Sequence, residues 1–382
     1  MSLTVIGFFA EGYRSLQRIS LPVDRLNVFS GANGVGKTNL YRALELLQAA
    51  ATGELSRKLA TEGGMESALF AGWQSTKKPV RIILRVQLQD VLADDNEYEY
   101  EISIGLVPQK NGAALGAAFI FEPQVKEERL LHRSRKRAYP LLERQNSTLT
   151  ALGSDGVKTS LGIDLLASET ALANLQDPDR YPELHNVREA LRSWRFYHGF
   201  RTDAESCLRR DCLAVTSPTL ESDGANLAAV LATLTHIRGD TTDLDSVIDD
   251  AFPGAVLEVP PPRRTASFGM RFSDYPLRTF DSVELSDGTL RYIALVGALL
   301  AYRLPPFIAL NEPETSLHPD LLQPLARLIA RASARTQVWI VTHSEILANA
   351  LSEESGVRVR EVIRENGRTW INGLSITGDF VT

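Results

Sequence analysis

The sequence predicts an α/β fold built around a phosphate-binding loop. The octapeptide at residues 31–38, GANGVGKT, follows a short apolar segment at residues 26–29 and precedes an amphipathic segment at residues 39–49. Two more apolar segments, residues 307–310 and 338–341, have the length of buried strands, and each is followed by a helical pattern. Because short buried strands that alternate with helices are typical of a parallel sheet, we expect these three segments to share one.

The octapeptide fits the pattern G-x-x-x-x-G-K-[ST] of phosphate-binding loops. Its glycines let the backbone curl so that N–H groups point at phosphate oxygens, and the following helix N-terminus adds a partial positive charge. We expect Lys37 to reach the β- and γ-phosphates and the Thr38 hydroxyl to ligate Mg²⁺. The predicted nucleotide-binding residues here are Gly31, Asn33, Gly34, Val35, Gly36, Lys37, Thr38 and Asn39.

Two neighbouring regions offer further candidates. Arg14 and Ser15 lie in a turn one hairpin before the loop, where they either contact the nucleotide or belong to a solvated turn. Gln74 precedes the predicted strand at residues 78–88, a point at which some phosphate-loop ATPases have a glutamine that touches Mg²⁺ and the attacking water. Gln87 and Gln89, on the strand itself, are the alternatives.

The last third of the sequence contains a second group of chemically suggestive residues. Residues 285–291, LSDGTLR, place a serine, an acidic residue and a glycine at the start of an apolar helix, which is another anion-binding terminus. Asn311 and Glu312 follow one buried strand, and His343 follows the next. Side chains just past the carboxyl ends of parallel strands lie where ligands bind in open α/β sheets.

Taken together, these motifs resemble the ABC-type ATPase heads of the RecF and SMC group, and stand-alone bacterial ATPases related to RecF and to OLD nucleases. The resemblance is strongest over residues 1–60 and 280–350. It implies an ABC-type P-loop fold with an antiparallel β subdomain, for which residues 78–88 and 97–106 supply alternating strands. It also implies an inserted, mainly helical lobe, for which residues 181–195, 223–237 and 243–251 read as helices. The predicted domains are therefore a core at 1–130 and 266–382 and a lobe at 131–265.

The resemblance also implies a role for each candidate residue. Ser286 and Gly288 would bind the γ-phosphate held by a second subunit, so that two ATP molecules lie between the subunits of a homodimer. Glu312 would be the general base and His343 a contact to the γ-phosphate, with Lys37 completing the catalytic set. Arg14 would contact the nucleotide, while Thr38, Gln74 and Asn311 would support Mg²⁺.

One residue departs from the pattern of these relatives. Asn311 stands where they carry an aspartate that supports Mg²⁺ through water. An asparagine oxygen can accept the same hydrogen bonds but adds no negative charge. We therefore expect ATP hydrolysis with Mg²⁺, and we expect it to be slow.

Composition narrows the class of protein. The 382 residues are 44% hydrophobic and 23% charged, which is typical of a globular protein, and no run of about 18 apolar residues predicts a membrane span. Two cysteines, Cys207 and Cys212, are too few for a disulfide scaffold and fit a reducing cytoplasm. The net charge of −6 leaves no chain-wide basic field for nucleic acid.

Two hypotheses for the biological role follow. The first is a DNA-linked ATPase in repair or phage defence, which would use the one basic cluster, at residues 126–144, unless that cluster is simply a solvated surface. The second is an ATP-dependent switch that acts on a separate effector protein without binding DNA. An intrinsic nuclease is not expected, because about 39 residues follow His343 and an OLD-type nuclease domain needs more.

Overall fold

The computed structural model describes residues 3–72, 80–106, 119, 121–134, 137–162 and 164–380. The strands within this part of the chain are β1 (Leu3–Tyr13), β2 (Leu16–Pro22), β3 (Leu26–Ser30), β4 (Arg81–Asp90), β5 (Ala93–Gly105), β6 (Gln124–Ser134), β7 (Arg137–Gln145), β8 (Thr148–Leu152), β9 (Lys158–Ser160), β10 (Arg195–Tyr197), β11 (Cys212–Leu213), β12 (Val256–Glu258), β13 (Thr265–Ala266), β14 (Gly269–Arg271), β15 (Phe280–Asp281), β16 (Phe307–Asn311), β17 (Gln337–Thr342), β18 (Arg360–Glu365) and β19 (Arg368–Ile371).

The α-helices of the same part are α1 (Lys37–Thr52), α2 (Leu55–Thr61), α3 (Gly64–Ala68), α4 (Ala171–Asn174), α5 (Pro182–Arg192), α6 (Leu227–Thr233), α7 (Thr242–Ala251), α8 (Asp287–Leu300), α9 (Leu322–Ser333) and α10 (Glu345–Ser355). A π-helical turn, Leu234–Arg238, continues α6, and 3₁₀ turns lie at Cys207–Arg209 and Pro319–Leu321. No helix in the described ranges is both long and apolar enough to cross a membrane.

The chain divides into two compact units, of which the first contains Met1–Asp24, Gly31–Trp194 and Glu361–Thr382. Its sheet is antiparallel and has the strand order β2-β1-β4-β5-β6-β7-β8-β9. Strand β4 alternates between buried and half-buried residues along its length, so one face of the sheet is apolar. Helix α1 packs against β1 and β4, and also contacts α2, α4 and α5.

The second unit contains Arg25–Ser30 and Arg195–Arg360. Its four parallel strands lie in the order β10-β16-β17-β3. Every residue of β16 and β17 is buried, which explains why these strands are continuous apolar runs in the sequence. The register pairs Tyr197 with Leu310, Asn311 with Val341, and Thr342 with Ser30, so all four strands end along one border of the sheet. We call this border the carboxyl edge.

The secondary structure of the predicted lobe differs from the expectation. The three helices read from the sequence are present as α5, α6 and α7, but residues 137–160 form β7, β8 and β9 of the antiparallel sheet. The two compact units change after Asp24, Ser30, Trp194 and Arg360, and the predicted domain boundaries at 130/131 and 265/266 stay a prediction. The strand signal was weak because β7 mixes charged and apolar residues, and its pairing with β6 and β8 decides its conformation.

Candidate active site

The octapeptide forms a tight loop that enters α1. Gly34 and Gly36 have φ values of 81° and 97°, in the left-handed region that favours glycine. Lys37 is the first residue of α1, and its Nζ donates hydrogen bonds to the carbonyl oxygens of Gly31 (2.6 Å) and Ala32 (2.8 Å). The loop therefore curls around the lysine ammonium group, with Asn33, Val35, Thr38 and Asn39 on the same short stretch, as the motif predicts.

A residue near the other end of the chain supports this loop. The Thr369 hydroxyl, on β19, donates to the carbonyl oxygen of Val35 at 2.7 Å and lies 2.6 Å from the hydroxyl of Ser15. The amide of Asn39 donates to Ser15 Oγ at 2.6 Å. Ser15 thus contacts the loop helix rather than standing in a solvated turn. Sequence reasoning assigned no role to Thr369, and no local pattern marks it.

The structure gives Arg14 a different partner from the one expected. Its guanidinium forms an ion pair with Glu62 at 2.8 Å, and the same carboxylate oxygen accepts a 2.7 Å hydrogen bond from Tyr13. Burial, and then the Glu62 charge, raise the pKa of the Tyr13 phenol well above its ordinary value. Because this ion pair occupies the guanidinium, a nucleotide contact by Arg14 stays a prediction.

Two glutamates and a histidine meet at the carboxyl edge. His343 Nδ1 lies 3.6 Å from Glu312 Oε1 and 3.2 Å from Glu314 Oε1. Glu312 has a φ of 48°, which is uncommon for a non-glycine residue and is the type of strain found at functional sites. Glu314 is buried, and its Oε1 accepts hydrogen bonds from the Thr342 hydroxyl (2.6 Å) and from the backbone N–H groups of His343 (3.0 Å) and Ser344 (3.2 Å).

The structure therefore brings Glu312 and His343 together, as the sequence predicts, and adds a residue to which the sequence analysis gave no role. Glu314 fixes the backbone that carries His343, and it does so from within the same Asn-Glu-Pro-Glu turn. The signal available in the sequence was the second glutamate of that turn, two residues after the predicted base.

Asn311 carries an unused acceptor next to this group. Its Oδ1 is buried and has no hydrogen-bond partner among the described residues. Buried acceptors are normally paired, so an oxygen left unpaired at a strand end fits a water or hydroxyl of a Mg²⁺ coordination sphere. Within the described ranges, no group of three or more His, Cys, Asp or Glu residues could hold a metal ion.

Arg291, on α8, approaches the same turn. One of its terminal nitrogens donates to the Glu312 carbonyl oxygen at 3.3 Å, and its Nε is buried without a partner in the described part of the chain. Burial lowers the pKa of this guanidinium, while the carboxylates of Glu314 and Glu312 oppose the shift. The turn that carries the predicted base is thus backed by a buried cation.

Ser286 begins α8 as its N-cap. Its hydroxyl accepts a hydrogen bond from the Thr289 backbone N–H at 3.2 Å, and a Cβ added to Gly288 would lie 3.0 Å from the Ser316 carbonyl oxygen. Arg209 holds the segment before the cap, because its guanidinium donates to the carbonyl oxygens of Val283 (2.9 Å) and Leu285 (2.8 Å) and to Asp287 Oδ1 (2.6 Å). Arg209 is distant in sequence, and sequence analysis missed it.

Gln74 lies outside the described residues, so its predicted contact to Mg²⁺ stays a prediction.

His198 is a residue near the carboxyl edge to which the sequence analysis gave no role. It directly follows β10, whose Tyr197 pairs with Leu310, so His198 starts beside Asn311 at the carboxyl edge. A Cβ added to its neighbour Gly199 would lie 3.7 Å from Arg291 NH2, which places this segment near the Glu312 turn.

Three arginines of the basic cluster at residues 126–144 have partners within the sheet or the loops beside it. Arg133 pairs with Glu99 at 3.0 Å, and Arg129 lies 3.7 Å from Glu143. Arg144 is buried and donates to the backbone carbonyl oxygens of Asn146, Glu169 and Leu166. Arg135 and Lys136 lie outside the described residues. Arg129, Arg133 and Arg144 therefore support the sheet, whereas Arg137, at the start of β7, is exposed, and binding of DNA by this cluster stays a prediction.

A phosphate loop, a parallel sheet with carboxylates at its carboxyl edge, and an antiparallel subdomain define a P-loop NTPase of the ABC-type ATPase-head class. A family model described as "AAA domain, putative AbiEii toxin, Type IV TA system" matches residues 26–349, and the chain belongs to this family. The prediction of an ABC-type head of the RecF, SMC and OLD group is thereby confirmed.

Solved structures agree on the fold. The chain is similar to an SmcHead bound to the C-winged helix domain of ScpA, with 14% identity, a TM-score of 0.51, and coverage of 98% of this chain and 99% of that one. It is also similar to an Smc head domain with an extended coiled coil bound to the C-terminal domain of ScpA, derived from Pyrococcus furiosus, with 13% identity, a TM-score of 0.51, and coverage of 98% and 97%. The chain matches none of the curated proteins with which it was compared.

Proposed function

We propose that this chain binds ATP with Mg²⁺, hydrolyses it slowly, and forms a homodimer when ATP is bound. The observation that carries the proposal is the contact between His343 and Glu312 at the carboxyl edge. Ser30, which precedes the phosphate loop in sequence, pairs with Thr342 at this edge. Ligands of parallel α/β sheets bind at such an edge.

Each residue has a role in this proposal. Loop N–H groups and Lys37 bind the β- and γ-phosphates, while Thr38 and Asn311 would hold Mg²⁺, which neutralises charge on the phosphates. Glu312 orients a water molecule in line with the γ-phosphorus and accepts its proton. His343 donates a hydrogen bond to a γ-phosphate oxygen. Asn311 lacks the charge of an aspartate, which is the reason to expect slow turnover.

Dimerisation is proposed because Ser286 and Gly288 lie at a helix N-terminus, which can bind an anion, and are far in sequence from the phosphate loop at residues 31–38. In the proposed dimer, these residues of one subunit complete the site that the other subunit's Lys37 and Glu312 begin. Each ATP molecule then lies between subunits, and hydrolysis reopens the dimer.

The test is ATPase activity per subunit as a function of protein concentration, together with the mass of the particle in solution. We expect activity to rise with concentration, Lys37→Ala to abolish ATP binding or turnover, and Glu312→Gln to retain ATP in a stable dimer. Arg57→Ala and Glu353→Gln, which change the charge of exposed side chains, are the controls. Normal turnover by Glu312→Gln would refute the assignment of the base.

For the biological role we propose a defence-linked switch that acts on a separate effector protein, in preference to direct action on DNA. The pairing of Arg133 and Arg129 with glutamates supports this choice, since binding phosphate would have to break those pairs. The family description names a type IV toxin–antitoxin system, and the similar Smc heads are bound to a second protein, ScpA.

The alternative, a DNA-linked ATPase in repair or phage defence, makes a separate prediction. Duplex DNA would raise turnover, and binding would weaken with salt and with Arg129→Ala plus Arg133→Ala, but not with Arg57→Ala as control. Fluorescence anisotropy with a labelled duplex at several salt concentrations distinguishes the two roles. Salt-dependent binding that is lost in the double variant would favour DNA over an effector.

A further inference from the structure

Three side chains from distant parts of the first unit form a continuous hydrogen-bonded chain under the phosphate loop. Asn39 Nδ2 lies 2.6 Å from Ser15 Oγ, Ser15 Oγ lies 2.6 Å from Thr369 Oγ1, and Thr369 Oγ1 lies 2.7 Å from the Val35 carbonyl oxygen. We call these three residues the hydroxyl relay. A backbone hydrogen bond from Thr369 N to the Ser15 carbonyl oxygen, at 2.8 Å, holds the two strands together beside it.

Each hydrogen bond of the relay has only one possible donor. A carbonyl oxygen is an acceptor only, so Thr369 must give its single hydroxyl proton to Val35. Thr369 Oγ1 is then an acceptor toward Ser15, which must donate to it, and the Asn39 amide donates to Ser15. Each of the three residues thus donates one hydrogen bond, and removal of any one interrupts a partly buried chain of hydrogen bonds.

Gly36 makes the fit of the relay strict. A Cβ added to Gly36 would lie 1.9 Å from Thr369 Oγ1 and 2.4 Å from Ser15 Oγ. The two hydroxyls therefore occupy the space beside the loop that any other residue at position 36 would fill. Thr369 itself is only 1% exposed, so this is an internal contact and not a solvated one.

We propose that Thr369 is a positioning residue for the nucleotide site, and that the β18–β19 hairpin serves to set the shape of the phosphate loop. By holding the Val35 carbonyl on the outer side of the loop, the relay turns the N–H groups of the following residues inward, where phosphate oxygens bind. Since the loop is shaped before ATP arrives, the relay contributes to ATP affinity, and it contributes little to the chemical step at Glu312. This inference rests on the proposed ATP binding.

The experiment measures the Kd of a non-hydrolysable ATP analogue with Mg²⁺ by calorimetry, and kcat at saturating ATP. Thr369→Val keeps the shape of the side chain and removes the hydroxyl, and we expect Kd to rise about tenfold, which corresponds to about 1.4 kcal/mol. We expect Thr369→Ser, which keeps the hydroxyl, to bind like the wild type. In all variants, kcat is expected to stay within about twofold, because the relay does not touch Glu312.

Two further variants separate positioning from a general effect on folding. Thr377→Val removes an exposed hydroxyl of the same C-terminal region, which bonds only within its own turn, and should change nothing. Ser15→Ala interrupts the relay without altering the hairpin and should weaken binding as Thr369→Val does. If both act through one chain of hydrogen bonds, the double variant Ser15→Ala, Thr369→Val should be no worse than either alone.

The outcomes are distinct. A raised Kd in Thr369→Val and Ser15→Ala, with Thr369→Ser unaffected and the losses non-additive, supports the inference. Wild-type affinity in Thr369→Val, or equal loss in Thr369→Ser, overturns it while leaving the proposed ATPase intact. Absence of analogue binding by the wild-type chain would overturn the proposed function itself and this inference with it. If Thr369→Val does not fold, Ser15→Ala decides between the first two outcomes.

Discussion

Glu314 offers the sharpest test of how the carboxyl edge is built. Its Oε1 accepts three hydrogen bonds, from the Thr342 hydroxyl and from the N–H groups of His343 and Ser344, in a buried setting. Glu314→Ala would leave the Thr342 hydroxyl and the His343 N–H without this acceptor, at about 1–3 kcal/mol each before relaxation and water entry. The Ser344 N–H would keep a second acceptor, the Thr342 hydroxyl at 2.9 Å. We therefore expect the free energy of unfolding to fall by about 2–4 kcal/mol, which is large for a single substitution.

Glu314→Gln is the matched control for this prediction. The variant keeps an acceptor oxygen at the Oε1 position. Its NH₂ group replaces Oε2, which has no hydrogen-bond partner among the described residues, so we expect the free energy of unfolding to fall by only about 1 kcal/mol. Urea unfolding followed by tryptophan fluorescence measures both variants, and ATP turnover reports on the His343 position. If Glu314→Ala unfolds within about 1 kcal/mol of the wild type, the carboxylate does not hold this turn together and the reasoning is wrong.

Three other predictions concern single residues. Asn311→Asp should lower the apparent Kd for Mg²⁺ in the presence of ATP, which Mg²⁺ titrations measure. The same variant should destabilise the nucleotide-free chain by about 2 kcal/mol, because a charge replaces a buried, unpaired amide oxygen, and melting curves check this loss. Arg209→Ala should abolish ATP-dependent dimers while sparing ATP binding, because the segment before Ser286 loses the hydrogen bonds that Arg209 donates to its carbonyl oxygens. Arg210→Ala, at an exposed neighbouring position, is the control and should dimerise normally in light scattering. Burial lowers the pKa of His132 below its ordinary value of 6.5, so the unfolded chain binds a proton there more readily than the folded chain. The contribution of His132 to stability is therefore present above pH 6.5 and is lost as the pH falls through its folded pKa. Comparison of wild type with His132→Gln across pH 5–8 should show a shallower decline in the variant.

The sequence alone was enough to predict the elements whose signals are local. The glycine pattern with a lysine at its end requires a curled loop at a helix start, and the loop has that form, with Lys37 bonded to Gly31 and Ala32. The continuous apolar runs before Asn311 and His343 indicated strands buried on both faces, which β16 and β17 are. Strand ends that carry Glu312 and His343 then had to meet, since parallel strands in one sheet end at one edge.

Tertiary structure alone decided which distant residues complete these local elements. Thr369 and Ser15 are separated by 354 positions, and only the pairing of their segments brings their hydroxyls together under the loop. Residues 137–160 became strands because neighbouring strands offered backbone partners, although their own pattern was ambiguous. Two cations of the basic cluster looked available in the sequence, but Arg129 lies opposite Glu143 in the sheet register, and Arg133 reaches Glu99. Composition specifies which charges exist, whereas strand register determines which of them remain unpaired, and so which surfaces can bind a polyanion.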